Sequence, residues 1–159
     1  MITGARGAAY NNHEMTIDGT NYEISTDTVR VDVDAVHAYL ARSYWAEGIP
    51  REVVAKAIAN SLCFSLFDRG AQIGFARVIT DRATFAYLCD VYVLEDYRRQ
   101  GLAKRLVEEV TRHPELTYVR RFVLVTRDAQ SLYEPFMFKT PANSGHYMEI
   151  FRPSIYEKP

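Results

Sequence analysis

Residues 87–110 read YLCDVYVLEDYRRQGLAKRLVEEV, and they predict a strand, a basic loop and a helix in direct succession. The strand is expected over residues 84–94, an apolar run with many aromatic and β-branched side chains that only Asp90 interrupts. After the loop, apolar residues recur at helical spacing and charged residues take the opposite face, which is typical of an amphipathic helix. The apolar face consists of Leu102, Ala103, Leu106, Val107 and Val110.

The loop between this strand and helix, Arg98-Arg99-Gln100-Gly101, has the features of an anion site. The first N–H groups of a helix have no intrahelical partner, and the positive end of the helix dipole adds to their attraction for anions. Two arginines, with a glycine that lets a ligand approach the backbone, therefore favour a phosphate or pyrophosphate. The loop is not a Walker A sequence, since no Gly-Lys-Ser/Thr follows, and the dinucleotide fingerprint Gly-x-Gly-x-x-Gly is absent.

The composition limits the class of protein. The 159 residues suit one domain of ordinary size, and the formal net charge of −1 argues against a general nucleic-acid binder. Cys63 and Cys89 lie in apolar patterns, which favours core thiols over a disulfide or a metal site. No segment is long and apolar enough for a membrane span, and the N-terminus lacks a signal-peptide pattern. We therefore expect a cytoplasmic protein with neither nucleic acid nor membrane among its partners.

Periodicity along the chain predicts further strands and helices. Residues 1–20 are expected to form a flexible extension that leads, through a hairpin or turn at Asp18-Gly19, into a single domain over residues 21–159. The order β-α-α-β-β-β-α-β-α-β indicates an α+β or mixed α/β sheet with helices on both faces. Helices are predicted over residues 33–44, from Pro50 onward, after the basic loop and over 129–136, and further strands over 62–67, 72–79, 122–126 and 146–151.

The basic loop and the order of elements together resemble the GNAT superfamily of N-acetyltransferases. The acetyl-CoA loop of that family has the pattern Gln/Arg-x-x-Gly-x-Gly/Ala, and Arg98, Gly101 and Ala103 fill the three places. The resemblance covers roughly residues 20–152, nearly the whole chain. It implies the α+β (mixed α/β) GNAT fold, with a mostly antiparallel mixed sheet of roughly six to seven strands and about four flanking helices.

The resemblance also implies how acetyl-CoA is bound as the co-substrate. Backbone N–H groups of the loop and first helical turn would surround the pyrophosphate, with added charge from Arg98 and Arg99. Backbone groups of Val91 and Val93, on a strand that often bulges and splays in this family, would meet the acetyl carbonyl and the pantetheine arm. The alternative is a capped loop with solvated arginines and two valines that serve only the core. The loop set is Arg98, Arg99, Gln100, Gly101, Leu102, Ala103 and Lys104.

A second segment, Leu132-Tyr133-Glu134 followed by Pro135-Phe136-Met137-Phe138, is similar to the family's Leu-Tyr-Glu-x-x-Gly-Phe. The resemblance implies that Tyr133 faces the CoA sulfur. A phenol with an ordinary pKa of about 10 is protonated at neutral pH, so it can donate a proton to the leaving thiolate. The alternative is that Tyr133 is simply an aromatic side chain on an amphipathic helix.

Two positions depart from the family pattern. Met137 stands where the family has Gly, and we expect it to reshape the turn into the last strand and to narrow the acyl end of the site. Thr126 stands seven residues before Tyr133, where relatives often carry an Asn that binds the pantetheine arm. The hydroxyl of Thr126 would form a weaker hydrogen bond there.

The acceptor side of the site has fewer markers. Asp90 aligns with acidic residues that accept the amine proton in some relatives, and the alternative is a structural carboxylate bonded to an arginine such as Arg77. Tyr44, Trp45 and Glu47 lie in the loop between the first two helices, where relatives bind the acceptor. An aromatic wall with one carboxylate would suit a cationic amine, although aromatic rings in a loop also simply pack down.

The resemblance to the GNAT superfamily and the site residues named above together predict an acetyl-CoA-dependent N-acetyltransferase. A primary amine of an unidentified small molecule or peptide would attack the thioester directly in a ternary complex, and no metal is expected. The alternative from another class is a non-catalytic acyl-CoA-binding or sensing domain, which Thr126 and Met137 make conceivable. A nucleotide-phosphate binder is disfavoured because the Walker residues are missing. The apolar last strand is compatible with a homodimer.

Overall fold

A six-stranded mixed sheet forms the centre of the computed structural model, which describes residues 12–17 and 19–156. The strands lie side by side in chain order, each antiparallel to the one before, except that the last pairs parallel with the fifth. The mostly antiparallel mixed sheet expected from the sequence is therefore confirmed. The strands are β1 (Asn12–Ile17), β2 (Thr20–Ser25), β3 (Leu62–Asp68), β4 (Ala71–Thr80), β5 (Phe85–Val93) and β6 (Arg121–Leu124).

The α-helices begin and end with identifiable local contacts. The first begins after Asp32, whose side chain accepts a hydrogen bond from the backbone N of Ala35 at 2.9 Å. It ends at Leu40, earlier than the sequence predicts, because the hydroxyl of Ser43 donates to the carbonyl of Leu40 at 2.7 Å and the chain turns there. No helix of the described residues is long and apolar enough to cross a membrane. The helices are α1 (Val33–Leu40), α2 (Arg51–Ala59), α3 (Leu102–Arg112) and α4 (Gln130–Tyr133).

Two apolar cores lie on opposite faces of the sheet. The apolar face of α3 packs on one side, in a cluster that contains Phe64, and α1 with α2 covers the other side, in a cluster that contains Phe75. Both phenylalanines are fully buried. Since helices cover both faces, β3 is buried along its whole length, which explains why its sequence is a nearly continuous apolar run without alternation.

A bulge in β5 is the first irregularity that shapes the site. The pairing of β5 with β4 shifts from Phe75 opposite Tyr92 to Arg77 opposite Cys89, which leaves an extra residue in β5. Asp90 lies in this bulge with φ 55°, in the left-handed region that costs about 1–2 kcal/mol for a residue with a side chain. The bulge therefore turns the carboxylate of Asp90 away from the regular alternation of the strand.

The second irregularity is the separation of β5 from β6. The two strands pair in parallel from Phe85 as far as Leu88, which lies opposite Leu124, and their pairing ends there. The bulge and this splay confirm the distortion that the family resemblance implies for the strand before the loop. A gap thus opens beside residues 89–93 of β5, at the carboxyl ends of two parallel strands, where ligand sites of α/β folds are commonly found.

The N-terminal hairpin is confirmed. β1 and β2 pair antiparallel, with Ile17 opposite Thr20 at the turn. The sheet therefore includes residues 12–17, which the sequence pattern places in the flexible extension over residues 1–20. Residues 1–11 and 18 lie outside the described residues, so the expectation of flexibility stays a prediction for them.

The prediction of a final strand over residues 146–151 is wrong. Ser144–His146 form a short 3-10 helix, and the chain that follows pairs with no strand of the described sheet. Met148, Ile150 and Phe151 are 97%, 83% and 73% exposed. An apolar pattern is a local signal, whereas a strand forms only where a partner edge meets it in register, and that partner is absent from the described part of the chain.

Candidate functional site

The N-terminus of α3 carries a set of unused backbone donors. Arg99, at φ 62°, and Gly101, at φ 77°, are left-handed on either side of Gln100, and Gly101 is the capping residue of α3. The first helical bond runs from Arg105 N to Gly101 O at 3.1 Å. Among the described residues, the backbone N–H groups of residues 99–104 have no hydrogen-bond acceptor. Donors gathered in this way at the positive end of a helix suit an anionic ligand.

Arg98 fastens the loop to the rest of the fold, and the charge that the family resemblance expects it to lend to a pyrophosphate stays a prediction. Nη2 of Arg98 donates to the hydroxyl of Tyr39 at 2.9 Å and to the carboxylate of Glu95 at 3.1 Å. Nε of Arg98 donates to the carbonyl oxygen of Val93 at 3.2 Å. These contacts fasten the loop to β5 and α1. The hydrogen bond from Arg42 is the main cause that lowers the pKa of Glu95 to about 2, so Glu95 remains a carboxylate near neutral pH.

The unpaired cations of the loop are Arg99 and Lys104. Both side chains are exposed, and neither forms an ion pair within the part of the chain that the structure describes. Arg105, by contrast, pairs with Glu108 at 2.8 Å on the outer face of α3. The charges of Arg99 and Lys104 are therefore available to an anion at the helix N-terminus.

Gln100 is held from a distant strand. The hydroxyl of Tyr22 on β2 donates to Oε1 of Gln100 at 2.9 Å, across a sequence separation of 78 residues. Tyr97, just before the loop, donates in the same region to the carboxylate of Asp68 at 3.0 Å. No sequence pattern predicts either contact, because Tyr22 follows ordinary strand alternation and Tyr97 lies in a loop without periodicity. Together they hold the loop against the sheet.

The backbone of β5 presents donors to the gap between β5 and β6. Leu94 N donates to Ile73 O at 2.8 Å, so the backbone groups of Leu94 point towards β4. Alternate residues of a strand direct these groups to opposite edges, so those of Val91 and Val93 point towards the gap. Val93 O is occupied by Arg98, which leaves the N–H groups of both valines as donors. Their side chains pack into the core, as the sequence pattern predicts.

Tyr133 lies at the end of α4 and is buried. Its side chain is only 9% exposed and belongs to the core cluster on the α3 side. Burial, with a smaller contribution from Tyr44, raises the pKa of Tyr133 to about 12. The phenol therefore stays protonated at neutral pH, as a proton donor requires. Just before α4, Oγ1 of Thr126 accepts a hydrogen bond from Ala129 N at 3.1 Å, which leaves its O–H as a donor.

Met137 has a backbone conformation that glycine adopts more readily than other residues. It lies in the left-handed region at φ 70°, and its side chain is 85% exposed. The side chain of Met137 therefore points into solvent, and the effect of this residue on the turn and on the acyl end of the site stays a prediction. The cost of that conformation for a residue with a side chain is about 1–2 kcal/mol.

Replacing Met137 by Gly should stabilise the protein. We expect the free energy of unfolding to rise by about 1 kcal/mol, because relief of the left-handed strain exceeds the entropy that glycine adds to the unfolded chain. Urea unfolding measures the difference. Met148→Gly is the matched control, since Met148 is 97% exposed without a positive φ, and it should give no gain. Equal effects of the two substitutions would contradict the strain at Met137.

Asp90 is part of a mostly buried ion pair. Arg77 Nε donates to Asp90 Oδ2 at 2.7 Å, and the two side chains are 14% and 11% exposed. Trp45 Nε1 donates to the other carboxylate oxygen at 3.3 Å. Burial works against the charge of Arg77, but the nearby carboxylate outweighs it, and the net pKa of Arg77 is raised. The structure thus contains the contact with an arginine that is one of the two alternatives predicted from the sequence, and proton acceptance by Asp90 stays a prediction.

The loop between α1 and α2 reaches across to the end of β6. Tyr44 and Trp45 meet edge to face at 5.0 Å between ring centroids. The guanidinium of Arg127 lies 3.9 Å from the centre of the Tyr44 ring, and Arg127 N approaches the Tyr44 hydroxyl at 3.4 Å. Glu47 is exposed and makes no hydrogen bond or ion pair with the described residues. The loop therefore brings Tyr44 and Trp45, but not the carboxylate of Glu47, to the site.

A cleft of about 220 Å³ lies between the α1–α2 layer and the sheet, beside the ion pair of Arg77 and Asp90. Burial raises the pKa values of two nearby thiols, Cys63 and Cys89, to about 12, so both stay protonated and unreactive at neutral pH. Within residues 12–17 and 19–156, no cluster of side chains could hold a metal ion. The cleft is lined by Val36, Leu40, Trp45, Ala46, Ile49, Val54, Ala57, Ile58, Phe75, Arg77, Tyr87, Cys89, Asp90 and Tyr156.

Known proteins are similar to this chain in sequence and in fold. A family model described as an acetyltransferase (GNAT) domain matches residues 59–140. A candidate GNAT acetyltransferase from Xanthomonas campestris pv. campestris, solved as a crystal structure, is 39% identical, and the match covers 95% of this chain and 100% of that one with a TM-score of 0.83. A candidate acetyltransferase of Gibberella zeae is 28% identical over 134 residues, which is 71% of this chain and 76% of that protein.

One more distant structure carries a ligand. A candidate acetyltransferase from Clostridium acetobutylicum, solved with acetyl-CoA, is 14% identical and covers 83% of this chain and 96% of its own, with a TM-score of 0.61. At this identity the match shows a shared fold alone. The loop at residues 98–104, the splayed strands and Tyr133 all lie within the matched family model.

Proposed function

The chain belongs to the GNAT family of acetyltransferases, and on that premise we propose that it transfers the acetyl group of acetyl-CoA to a primary amine within a ternary complex. The observation that carries the proposal is the patch of unpaired backbone N–H groups at residues 99–104, with the free charges of Arg99 and Lys104 beside it. Donors and charges in that arrangement suit the pyrophosphate of CoA. The free thiols Cys63 and Cys89 fit the reducing cytoplasm, where we place the reaction.

The proposed chemistry needs few groups. The neutral amine attacks the thioester carbon, a C–N bond forms, the C–S bond breaks, and the amine loses a proton to solvent. The N–H groups of Val91 and Val93, which point into the gap, support stabilisation of the thioester oxygen as charge develops on it. Tyr133, protonated because it is buried, supplies the proton for the leaving thiolate. Positioning of the two substrates should account for much of the remaining rate.

A paired experiment tests this function against the alternative of a non-catalytic acyl-CoA-binding domain. Calorimetric titration of acetyl-CoA measures binding, and release of free thiol in the presence of a panel of amines measures transfer. We expect micromolar binding and thiol release that depends on an amine. Binding without release from any amine would favour the sensing domain, and absence of binding would reject both.

Replacing Asp90 by Asn separates a positioning role from proton acceptance. We expect the free energy of unfolding to fall by about 3 kcal/mol, because Arg77 is left buried without a counter-ion. We expect the acidic limb of kcat/KM against pH to remain, since it would report ionisation of the amine itself. Disappearance of that limb would identify Asp90 as the base. The control is Asp34→Asn, whose partner Arg51 is exposed, and it should leave the free energy of unfolding close to that of the parent chain.

Replacing Tyr22 by Phe tests the support of the loop from β2. The change removes the hydrogen bond to Gln100 and keeps the ring in the core, where Tyr22 is 5% exposed. We expect the dissociation constant of acetyl-CoA to rise about three- to tenfold, as the loss of one hydrogen bond would give. Calorimetry checks it, with Tyr118→Phe as the control because Tyr118 is 90% exposed. Identical affinities in the two variants would remove Tyr22 from the site.

A further inference from the structure

The cleft beside Asp90 has one polar end and one apolar end. From this we propose that the acceptor is a small α-amino acid with an apolar side chain, of about the size of leucine. The inference rests on the proposed function, since the amine must meet the thioester at the same place. It goes further in assigning a chemical class to the acceptor from the groups that line the cleft.

The polar end offers one site for each charge of an amino acid. Asp90 accepts from Arg77 and Trp45, and each carboxylate oxygen has a further lone pair for an ammonium group. Arg77 uses Nε for Asp90 and Nη1 for the hydroxyl of Ser61 at 3.0 Å. Its Nη2 makes no hydrogen bond with any described residue, so it remains a donor for a carboxylate. The ammonium and carboxylate of one amino acid would therefore match Asp90 and Arg77.

The charge balance argues against a polycation. The Arg77–Asp90 pair is neutral as a unit. Two other lining residues, Tyr87 and Cys89, have pKa values raised by burial, so both are uncharged at neutral pH. Glu47, the further carboxylate expected in the acceptor loop, is exposed and lies outside the lining. A polyamine or aminoglycoside would bring several ammonium groups to a cleft with one carboxylate that is already paired. The free-energy cost of removing those ammonium groups from water would not be offset by new ion pairs.

The apolar end sets the size of the side chain. α1 contributes Val36 and Leu40 to the wall, α2 contributes Val54 and Ile58, and Phe75 closes the sheet side. The volume of 220 Å³ equals the share of about seven water molecules in the liquid. A leucine-sized molecule fits this space, whereas a nucleotide would be too large for it and a sugar phosphate would be too polar for its apolar lining.

The bulge connects this cleft to the thioester. Asp90 is the residue directly before Val91, whose N–H points into the gap between β5 and β6. An ammonium group held by Asp90 would therefore lie beside the proposed position of the acetyl carbonyl. Trp45, which donates to the same carboxylate, would cover the amine from the side of the α1–α2 loop.

Binding of L-leucine tests the cleft without reference to turnover. Calorimetric titration into the full chain, both free and saturated with CoA, should give saturable binding that Ala57→Leu weakens at least about tenfold, because the added side chain fills the cleft. Ala59→Leu is the matched control, since Ala59 lies on the exposed face of the same helix, and it should bind L-leucine like the parent chain. Absence of binding, or equal binding by the two variants, would overturn the inference.

A comparison of kcat/KM among acceptors tests whether the cleft recognises both the ammonium and the carboxylate group of the amino acid. L-Leucine should have a kcat/KM at least about tenfold above that of 3-methylbutylamine, which lacks the carboxylate, with L-leucinamide between them. Arg77→Lys should reduce this ratio, since it removes the Nη2 donor. A preference for spermidine or for 3-methylbutylamine would overturn the amino-acid assignment while the acetyltransferase stands. Failure to bind acetyl-CoA, with L-leucine still bound in the cleft, would instead reject the proposed function and keep the amino-acid site.

Discussion

Gly101→Glu is expected to abolish acetyl-CoA binding, with a dissociation constant raised by at least about a hundredfold, or about 2.7 kcal/mol. Gly101 caps α3 at φ 77°, between the unpaired N–H groups proposed to hold the pyrophosphate. A glutamate there adds a negative charge to the anion site, whose attraction depends on the positive helix end. Calorimetric titration of acetyl-CoA into the variant checks the result.

Two controls separate charge from strain at this position. Nothing lies within 4 Å of a Cβ built on Gly101, so Gly101→Ala has room and costs only the left-handed conformation. It should lower stability by about 1–2 kcal/mol and change affinity far less than the glutamate does. Gly145→Glu adds the same charge at another open position and should bind normally. Wild-type affinity in Gly101→Glu would show that the pyrophosphate lies elsewhere.

The strand–loop–helix unit is predictable because its signals are local. The apolar run of β5 and the apolar stripe of α3 lie within one continuous stretch, and the structure places β5 at Phe85–Val93 and α3 at Leu102–Arg112. The contact between Asp90 and Arg77 is also accessible from the sequence. A carboxylate in an apolar strand needs a partner, and the antiparallel neighbour strand contains an arginine close to the opposite position.

The contacts that close the site depend on distant residues, so the sequence does not reveal them. Of two adjacent arginines, Arg98 donates to the hydroxyl of Tyr39 across 59 residues, and nothing in the local pattern distinguishes it from Arg99. Residues 146–151 show the converse, since a strand-like composition without a partner edge gives an exposed segment that forms no strand. Met137 shows that a left-handed turn can persist without its usual glycine when the side chain has free space.

Tyr133→Phe is expected to lower kcat by about a hundredfold or more while the affinity for acetyl-CoA stays unchanged, as removal of a general acid would. The substitution removes only the hydroxyl group, and the ring remains packed against Phe138, 6.1 Å away between centroids. Stopped assays of thiol release give kcat, and calorimetry gives the affinity. Tyr92→Phe is the control, since it removes a buried hydroxyl on the other face of the sheet, and it should leave kcat close to the parent value.

The pH dependence of the rate tests independently whether Tyr133 donates the proton. Burial raises the pKa of Tyr133 to about 12, so the proton to be donated is present below that pH and lost only above it. The rate should therefore rise with pH as the amine deprotonates and should not fall near pH 10, where a phenol of ordinary pKa, about 10, would lose its proton. A decline near pH 10 in the parent chain that is absent from Tyr133→Phe would mean that the phenol titrates normally. Equal kcat values for the parent and Tyr133→Phe would instead mean that the thiolate leaves without help from this residue.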